Sequence, residues 1–320
     1  MKLVEPSVEE IKIDDTIDMI AKVAKKIFFF HPKKVARNCY LSTPKEPDEA
    51  PFVSRLINNC HFAMVEHKAL TFVVNKELYY EIKNINNPFV YMSNKNDVYL
   101  VTLSLRPIAE AYARKEFDNP LLVLISALSQ RVKDVFFKDF EVESNENIRI
   151  LSSEEISKLS YEERKIHQFV TMKIITDRGV SHELVRHRRC SFAQESTRYC
   201  NYSKNKFNGE LSFIKPIDYE ENKDVYETVF ATIEKGYMDL ASRKVTPDKA
   251  RAILPNALKT SIVVTTNLAE WELIFGLRLD FAAHHDMRRV MQLVKNHFVK
   301  EGYIEEKIPA WNTLCKILLD

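Results

Sequence analysis

Apolar residues recur at helical spacing from Asp15 to Phe30, where Ile17, Ile20, Ala21, Ala24 and Ile27/Phe28 share one face. Asp14 or Asp15 suits the N-cap of that helix, and His31-Pro32 ends it. The prolines of Ser42 to Pro51 mark a loop, and Phe52 to Cys60 reads as a short helix. The pattern then changes period. Leu70 to Val74 is β-like. Phe89 to Met92 and Val98 to Leu103 flank a polar turn, Ser93 to Asp97, which predicts a hairpin. Ile108 to Lys115 and Pro120 to Phe137 predict helices, the second apolar at Leu121, Leu122, Leu124, Ile125 and Leu128. Glu141 to Glu163 is polar and partly loop, with a helix start at Ser152/Ser153 before Glu154-Glu155.

In the second half, His167 to Ile175 alternates like a half-buried strand, and Asp177-Arg178-Gly179 turns it. Ser181 suits the cap of a short helix from Ser181 to His187. Asp218 to Arg243 predicts a long amphipathic helix, with Val225, Val229, Ile233, Tyr237 and Leu240 on one stripe. Thr246-Pro247-Asp248 restarts a helix with a cap, a first-turn proline and an acid. The β-branched run Ser261 to Thr266 predicts a strand leading to Asn267, and Ala283 to Val299 a closing helix.

At 320 residues the chain can bury a substantial core, as one large domain or two. Its 47 basic and 45 acidic side chains leave a net charge of +2, whereas nucleic-acid-coating proteins are strongly basic, so any anion site has to be local. Met1 to Asp15 is charged and lacks the apolar run of a signal peptide, and Ile27 to Phe30 is too short to span a bilayer. Cys39, Cys60, Cys190, Cys200 and Cys315 form no C-x-x-C pair and are odd in number, which points to a reduced, cytoplasmic compartment. The five glycines are scattered and build neither G-x-G-x-x-G nor a P-loop. A bound nucleotide would therefore be held by arginine side chains and helix ends.

The segment Arg186-His187-Arg188-Arg189-Cys190-Ser191-Phe192-Ala193-Gln194-Glu195-Ser196-Thr197-Arg198-Tyr199 supplies such arginines, four in fourteen residues. An arginine is rarely buried unpaired, and its planar fork suits phosphate or carboxylate. On charge alone this is an exposed basic loop. Its pattern says more. Arg186-His187-Arg188, seven residues, then Ser196 resembles the signature of flavin-dependent thymidylate synthases. The flanks Ser181 to Val185 and Gln194 to Tyr199 resemble the family too, as do Val35 to Tyr40, His61 to Phe72 and Ala250-Arg251-Ala252-Ile253-Leu254-Pro255.

The resemblance implies an α+β fold, a mixed sheet packed by helices, in one domain over 1–320 with an inserted hairpin and helical segment at about 75–165. It implies reductive methylation of dUMP to dTMP, with 5,10-methylenetetrahydrofolate giving the carbon, NADPH the electrons and FAD mediating. Arg186, His187, Arg188, Gln194, Asn267 and His61 match flavin positions. Ala63 stands where the family offers a hydroxyl to the flavin nucleotide, and Leu273 where many relatives have Asn or His. Glu183, Arg186, Gln194, Ser196, Arg198, Arg251 and Arg278 match substrate positions, with Ser196 and Arg198 on the dUMP phosphate. Arg278 matches the residue assigned to the uracil N3/O4 edge, the catalytic role; a bridge to Glu270 or Glu272 is its purely structural alternative. The resemblance further implies a homotetramer with shared active sites; the near-neutral charge and the short apolar run lead to the expectation of no nucleic-acid or membrane partner. A different class of reading makes the 186–198 loop, with Tyr199, Tyr202 and Phe192 for stacking, a nucleic-acid-binding module. His284-His285-Asp286 invites a metal, but adjacent helical histidines point about 100° apart, so no metal site is expected.

Overall fold

The computed structural model describes residues 1–12, 62–137, 140–143 and 145–305. The helices expected at Asp15 to Phe30 and Phe52 to Cys60, the Val35 to Tyr40 segment and His61 lie outside these residues. Strands β1 (Lys2–Val4) and β2 (Ser7–Glu10) come first. A 3-10 helix, Phe62–His67, leads into β3 (Ala69–Val74), α1 (Lys76–Asn84), β4 (Val90–Lys95), β5 (Val98–Ser104) and α2 (Leu105–Ala113). The expected hairpin is β4–β5. Its turn is tighter than the polar run suggested, because Asn96 and Asp97 both take left-handed φ, 50° and 59°, and close it in two residues. Helix α1 was not read from the sequence. Asn75 caps it by accepting from the Leu78 N–H at 2.9 Å, and Leu78, Tyr79 and Ile82 are its buried face.

The helix expected over Pro120 to Phe137 is broken. Pro120–Ala127 winds as a 3-10 helix, Leu128 and Ser129 are extended, and α3 (Gln130–Phe136) starts afresh. Then follow β6 (Arg149–Ile150), α4 (Ser153–Ser157) and α5 (Tyr161–His167), both helices opened by Ser–Glu capping boxes at Ser152/Glu155 and Ser160/Glu163. Strand β7 (Phe169–Asp177) runs straight into α6 (Arg178–Leu184), followed by β8 (Ser191–Gln194) and β9 (Ser212–Ile214). Helices α7 (Lys223–Ser242) and α8 (Pro247–Ala250), strand β10 (Lys259–Asn267), and helices α9 (Leu268–Arg278) and α10 (His285–Lys300) follow. The buried face of α7 is Phe230 and Tyr237; Val225 and Val229, expected inside, are exposed. Phe230 turns inward because it stacks on Phe213 of β9, centroids 4.3 Å apart and planes 2° from parallel.

The architecture is α+β. One four-stranded sheet has the order β2-β7-β10-β8 and the other β4-β5-β3-β6, each antiparallel throughout. Among the described residues, parallel pairing is confined to β1 with β9. Each four-stranded sheet has its own apolar core. Val65 to Ile148 pack around β3, β5 and their helices; Val170 to Ile304 pack around β7, β10, α9 and α10. Among the described residues no helix is long and apolar enough to cross a membrane.

Candidate functional site

The arginine turn is held by the two strands that flank it. Asp177, not Ser181, caps α6: its carboxylate accepts from the Val180 N–H at 2.8 Å, so the helix begins where β7 ends and Ser181 lies inside it. After Leu184 the chain turns through Arg186 and His187 and re-enters the sheet as β8, paired with β10. Just past β8, buried Glu195 accepts from Lys259 Nζ at 2.7 Å and from Tyr202 OH at 2.8 Å, and its N–H donates to Ser261 at 2.8 Å. A buried carboxylate answered by two donors, together with the backbone bond to Ser261, fixes the backbone entering Ser196. Sequence reasoning gave Glu195 no role, although a lone acid amid arginines was the available signal.

β7 and β10 are antiparallel, so α6 and α9 start at opposite ends of the sheet. The eleven residues of α9 span roughly 16 Å. They carry Arg278 back to the end of α6. There its Nε–H donates to His187 Nε2 at 3.0 Å, Nη1 to the Glu183 carboxylate at 3.1 Å, and Nη2 to the Glu183 carbonyl at 3.0 Å. The acid that answers Arg278 is therefore Glu183; Glu270 instead stands 3.9 Å from His187 Nδ1. Burial, then the Arg278 charge, lowers the His187 pKa to about 4, so the imidazole is neutral at pH 7.

The remaining sites divide. Gln194 donates to Ser181 Oγ at 2.8 Å and Thr260 Oγ1 at 3.1 Å, bridging α6 and β10. Ser196 Oγ accepts from the Arg198 N–H at 3.3 Å, and exposed Arg198 lies over the Tyr199 ring, 5.4 Å from its centroid. Arg198 also lies near enough to Asp248 to help hold that carboxyl below its usual range, behind the larger effect of the Thr246 hydroxyl. Arg251 is exposed just past α8. Asn267 is used by the fold: it caps α9 at Glu270 N, 3.0 Å, and donates to the Ile166 carbonyl at 3.1 Å. Leu273 is half-buried on α9, and Ala63 is exposed on the 3-10 helix. Arg186, Arg188 and Arg189 are exposed and have no ion-pair partner among the described residues.

A pocket of about 330 Å³ opens beside Arg189, Cys190 and Ser191, with Glu66, Tyr91 and Arg106 across from them. Glu66 and Arg106 form an ion pair there. Burial pushes the Tyr91 phenol up to about 12 against the opposing pull of the Arg189 charge. Burial likewise pushes the Cys190 thiol far up, and Cys200 is fully buried. Elsewhere, His284 precedes α10 and caps it at Asp286 N, 3.3 Å, so the helical-angle reasoning does not hold: the His284 and His285 rings lie side by side, centroids 4.1 Å apart. With Asp286 they bring ligand atoms within 4.8 Å of one another, but both imidazoles are exposed.

Residues 155–301, which hold the arginine turn, strands β7, β8 and β10 of its sheet and Arg278, match the family model of thymidylate synthase complementing protein. Through this segment the chain is similar to flavin-dependent thymidylate synthases. It is 34% identical over 158 residues to the flavin-dependent thymidylate synthase of Pyrococcus furiosus, covering 46% of this chain and 64% of that one. Against the Pyrococcus abyssi enzyme it is 38% identical over 116 residues, covering 35% and 47%. The chain thus spans less than two thirds of the length of these relatives. Among solved structures it is similar to thymidylate synthase X of Helicobacter pylori with FAD and dUMP, at TM-score 0.34 and 19% identity over 40% of this chain and 66% of that one. A UMP/dUMP methylase of Streptomyces cacaoi bound with 5-Br dUMP gives TM-score 0.36 and 18% identity over 41% and 67%.

Proposed function

We propose that the protein makes dTMP from dUMP by reductive methylation, with FAD as cofactor, NADPH as reductant and 5,10-methylenetetrahydrofolate as carbon donor. The observation that carries this reading is the set of unpaired guanidinium groups around one anchored turn. Arg186, Arg188 and Arg189 are exposed without an ion-pair partner among the described residues, a donor set that fits an anionic dinucleotide. When bound, FAD supplies the electron transfer that no side chain here can perform.

The chain's own residues bind and orient. Ser196, the adjacent backbone, Arg198 and Arg251 would supply the donors for a nucleotide monophosphate. Gln194 is anchored at the edge of that turn by Ser181 and Thr260. Arg278 spends three of its five N–H donors on His187 and Glu183, which leaves two for a ligand edge. Aimed at uracil N3/O4, they would stabilise negative charge on the ring and enrich C5 in electrons. Homo-oligomeric assembly with sites shared between units belongs to this reading, and the unbridged thiols of Cys190 and Cys200 suit a reduced, cytoplasmic setting. The near-neutral net charge of +2 weighs against a nucleic-acid-binding loop.

The test is an absorbance spectrum of protein mixed with excess FAD and desalted, then dUMP titration and an assay for dTMP. Retained flavin absorbance, saturable dUMP binding and dTMP formation are expected. Protein that retains no flavin and yields no dTMP removes this reading.

A further inference from the structure

The two four-stranded sheets repeat one plan. Read from the edge, β2-β7-β10-β8 and β6-β3-β5-β4 have the same order and the same antiparallel sense. In both, the two central strands run directly into helices: β3 into α1, β5 into α2, β7 into α6, β10 into α9. His67 and Thr71 recur one hundred positions later as His167 and Thr171. The registers agree as well. Thr71 pairs with Thr102 on β5, and Thr171 with Thr265 on β10. The edge strands also match, since Leu151 N donates to Thr71 O at 2.8 Å and Ile11 N to Thr171 O at 2.8 Å.

The halves are not merely alike; they interlock by exchange. His67 Nδ1 meets Thr265 Oγ1 at 2.7 Å, and Thr265 meets Thr171 at 2.8 Å. Reciprocally, His167 Nδ1 meets Thr102 Oγ1 at 2.8 Å, and Thr102 donates to Thr71 at 2.7 Å. Strand β2, which precedes the first unit in the chain, pairs in the second unit's sheet, and β6, which precedes the second unit, pairs in the first. Contacts in which position i of one unit meets j of the other, and j meets i, are the mark of a two-fold interface.

The units differ in one respect. In the second, residues 195–258 separate β8 from β10 and carry Ser196, Arg198 and Arg251. In the first, β4 and β5 are joined by Asn96-Asp97 alone. Where the second has Arg186-His187-Arg188, the first, at the same hundred-residue offset, has Asn86-Asn87-Pro88. The first unit therefore lacks both the arginine turn and the excursion that carries Ser196, Arg198 and Arg251.

We propose that the chain is an internally duplicated pseudo-dimer: its first unit, 62–151, has lost the anion-binding loop and serves as a built-in partner, closing one pocket with Glu66, Tyr91 and Arg106 against Arg189 of the second. Each chain then carries one nucleotide site where a symmetric pair carries two. In this reading the segment 75–165 is most of a second unit rather than an addition to one, and a four-unit assembly needs two chains. The ligand count rests on the function proposed above; the pairing of the units does not.

The test has two arms. Calorimetric unfolding of the ligand-free full chain needs no substrate. Exchanged strands bind the units into one cooperative transition, so a single transition is expected, and two separated transitions overturn the proposal. Within that transition, His67→Gln should add little to Thr265→Val, which breaks the same link, and add fully to Thr102→Val, which breaks the other; equal additivity in both pairs overturns the crossed contact. In the second arm, dUMP and FAD are titrated into the full chain. One dUMP per chain is expected, and Tyr91→Ala should weaken FAD at least tenfold. Two equal dUMP sites per chain, or unchanged FAD affinity in Tyr91→Ala, overturns the built-in partner. Parent protein that binds neither ligand defeats the proposed function instead, and calorimetry then decides the pseudo-dimer alone.

Discussion

The Nε–H of Arg278 donates to Nε2 of His187 over 3.0 Å. Because a guanidinium offers no acceptor, Nε2 must accept, and the neutral ring carries its proton on Nδ1, on the side of Glu270. Arg278 is thereby oriented by two residues of the α6 end before any ligand arrives, with Glu183 taking its other side.

Replacing Arg278 by Lys keeps the charge and loses the fork. The variant is expected to fold and bind FAD, while dTMP formation falls by roughly a hundredfold, the scale for loss of one preorganised donor. Steady-state kinetics beside a flavin-binding titration check this. A parent rate would leave Arg278 as a strut between α9 and α6.

Arg198→Ala should weaken dUMP about ten- to hundredfold, as expected for a charge-assisted contact of roughly 1.5–3 kcal/mol, and leave FAD affinity unchanged. Equal loss of both ligands would reassign Arg198 to the flavin.

Cys190→Ala should retain turnover. Burial pushes its thiol far above neutral pH, and a thiol without thiolate is a poor nucleophile. Loss of dTMP formation in a folded, flavin-loaded variant would contradict this.

Glu195→Ala removes a buried partner from Lys259 and Tyr202. A destabilisation of about 3–5 kcal/mol is expected, read by urea unfolding, because Lys259 and the tyrosine lose their shared acceptor. A change below about 1 kcal/mol would show that water replaces the carboxylate.

Acid should destabilise the fold. Burial is the largest cause holding His67 near 3, His167 near 4 and His187 near 4, against an ordinary value of 6.5. Above pH 6.5 neither folded nor unfolded imidazoles bind protons. Between 6.5 and about 4 the unfolded chain binds more, so stability falls as pH falls, by about 1.4 kcal/mol per pH unit for each imidazole. Urea unfolding at pH 7 and pH 5 measures the slope, and His167→Gln should reduce it by one imidazole's share.

Sequence legibility followed the range of the interactions. The strands at 70–74 and 261–266, the hairpin and the Ser152 helix start were readable because period, turn residues and caps act locally. Asp177 was displaced by Ser181 as the cap because both are good cap residues, and only the length of β7 decides between them. Helix α1 was hidden by tyrosines and an isoleucine that suit a strand equally well. The acid answering Arg278 lies 95 positions away, beyond any helical spacing. The repeat was hidden because topology, His–Thr pairs and register persist while Arg186-His187-Arg188 faces Asn86-Asn87-Pro88.

Strand β2 pairs with β7, roughly 160 residues further along. On a ribosome adding about 5–20 residues per second, it waits some 8–30 s for that neighbour. During the wait Ser7-Val8-Glu9-Glu10 is an unclaimed template, and its two carboxylates are the kind of charge that discourages the wrong strand from pairing with it. Changing Glu9 and Glu10 to valine would therefore show its damage in the yield of soluble protein from synthesis, before any of it reached the folded state.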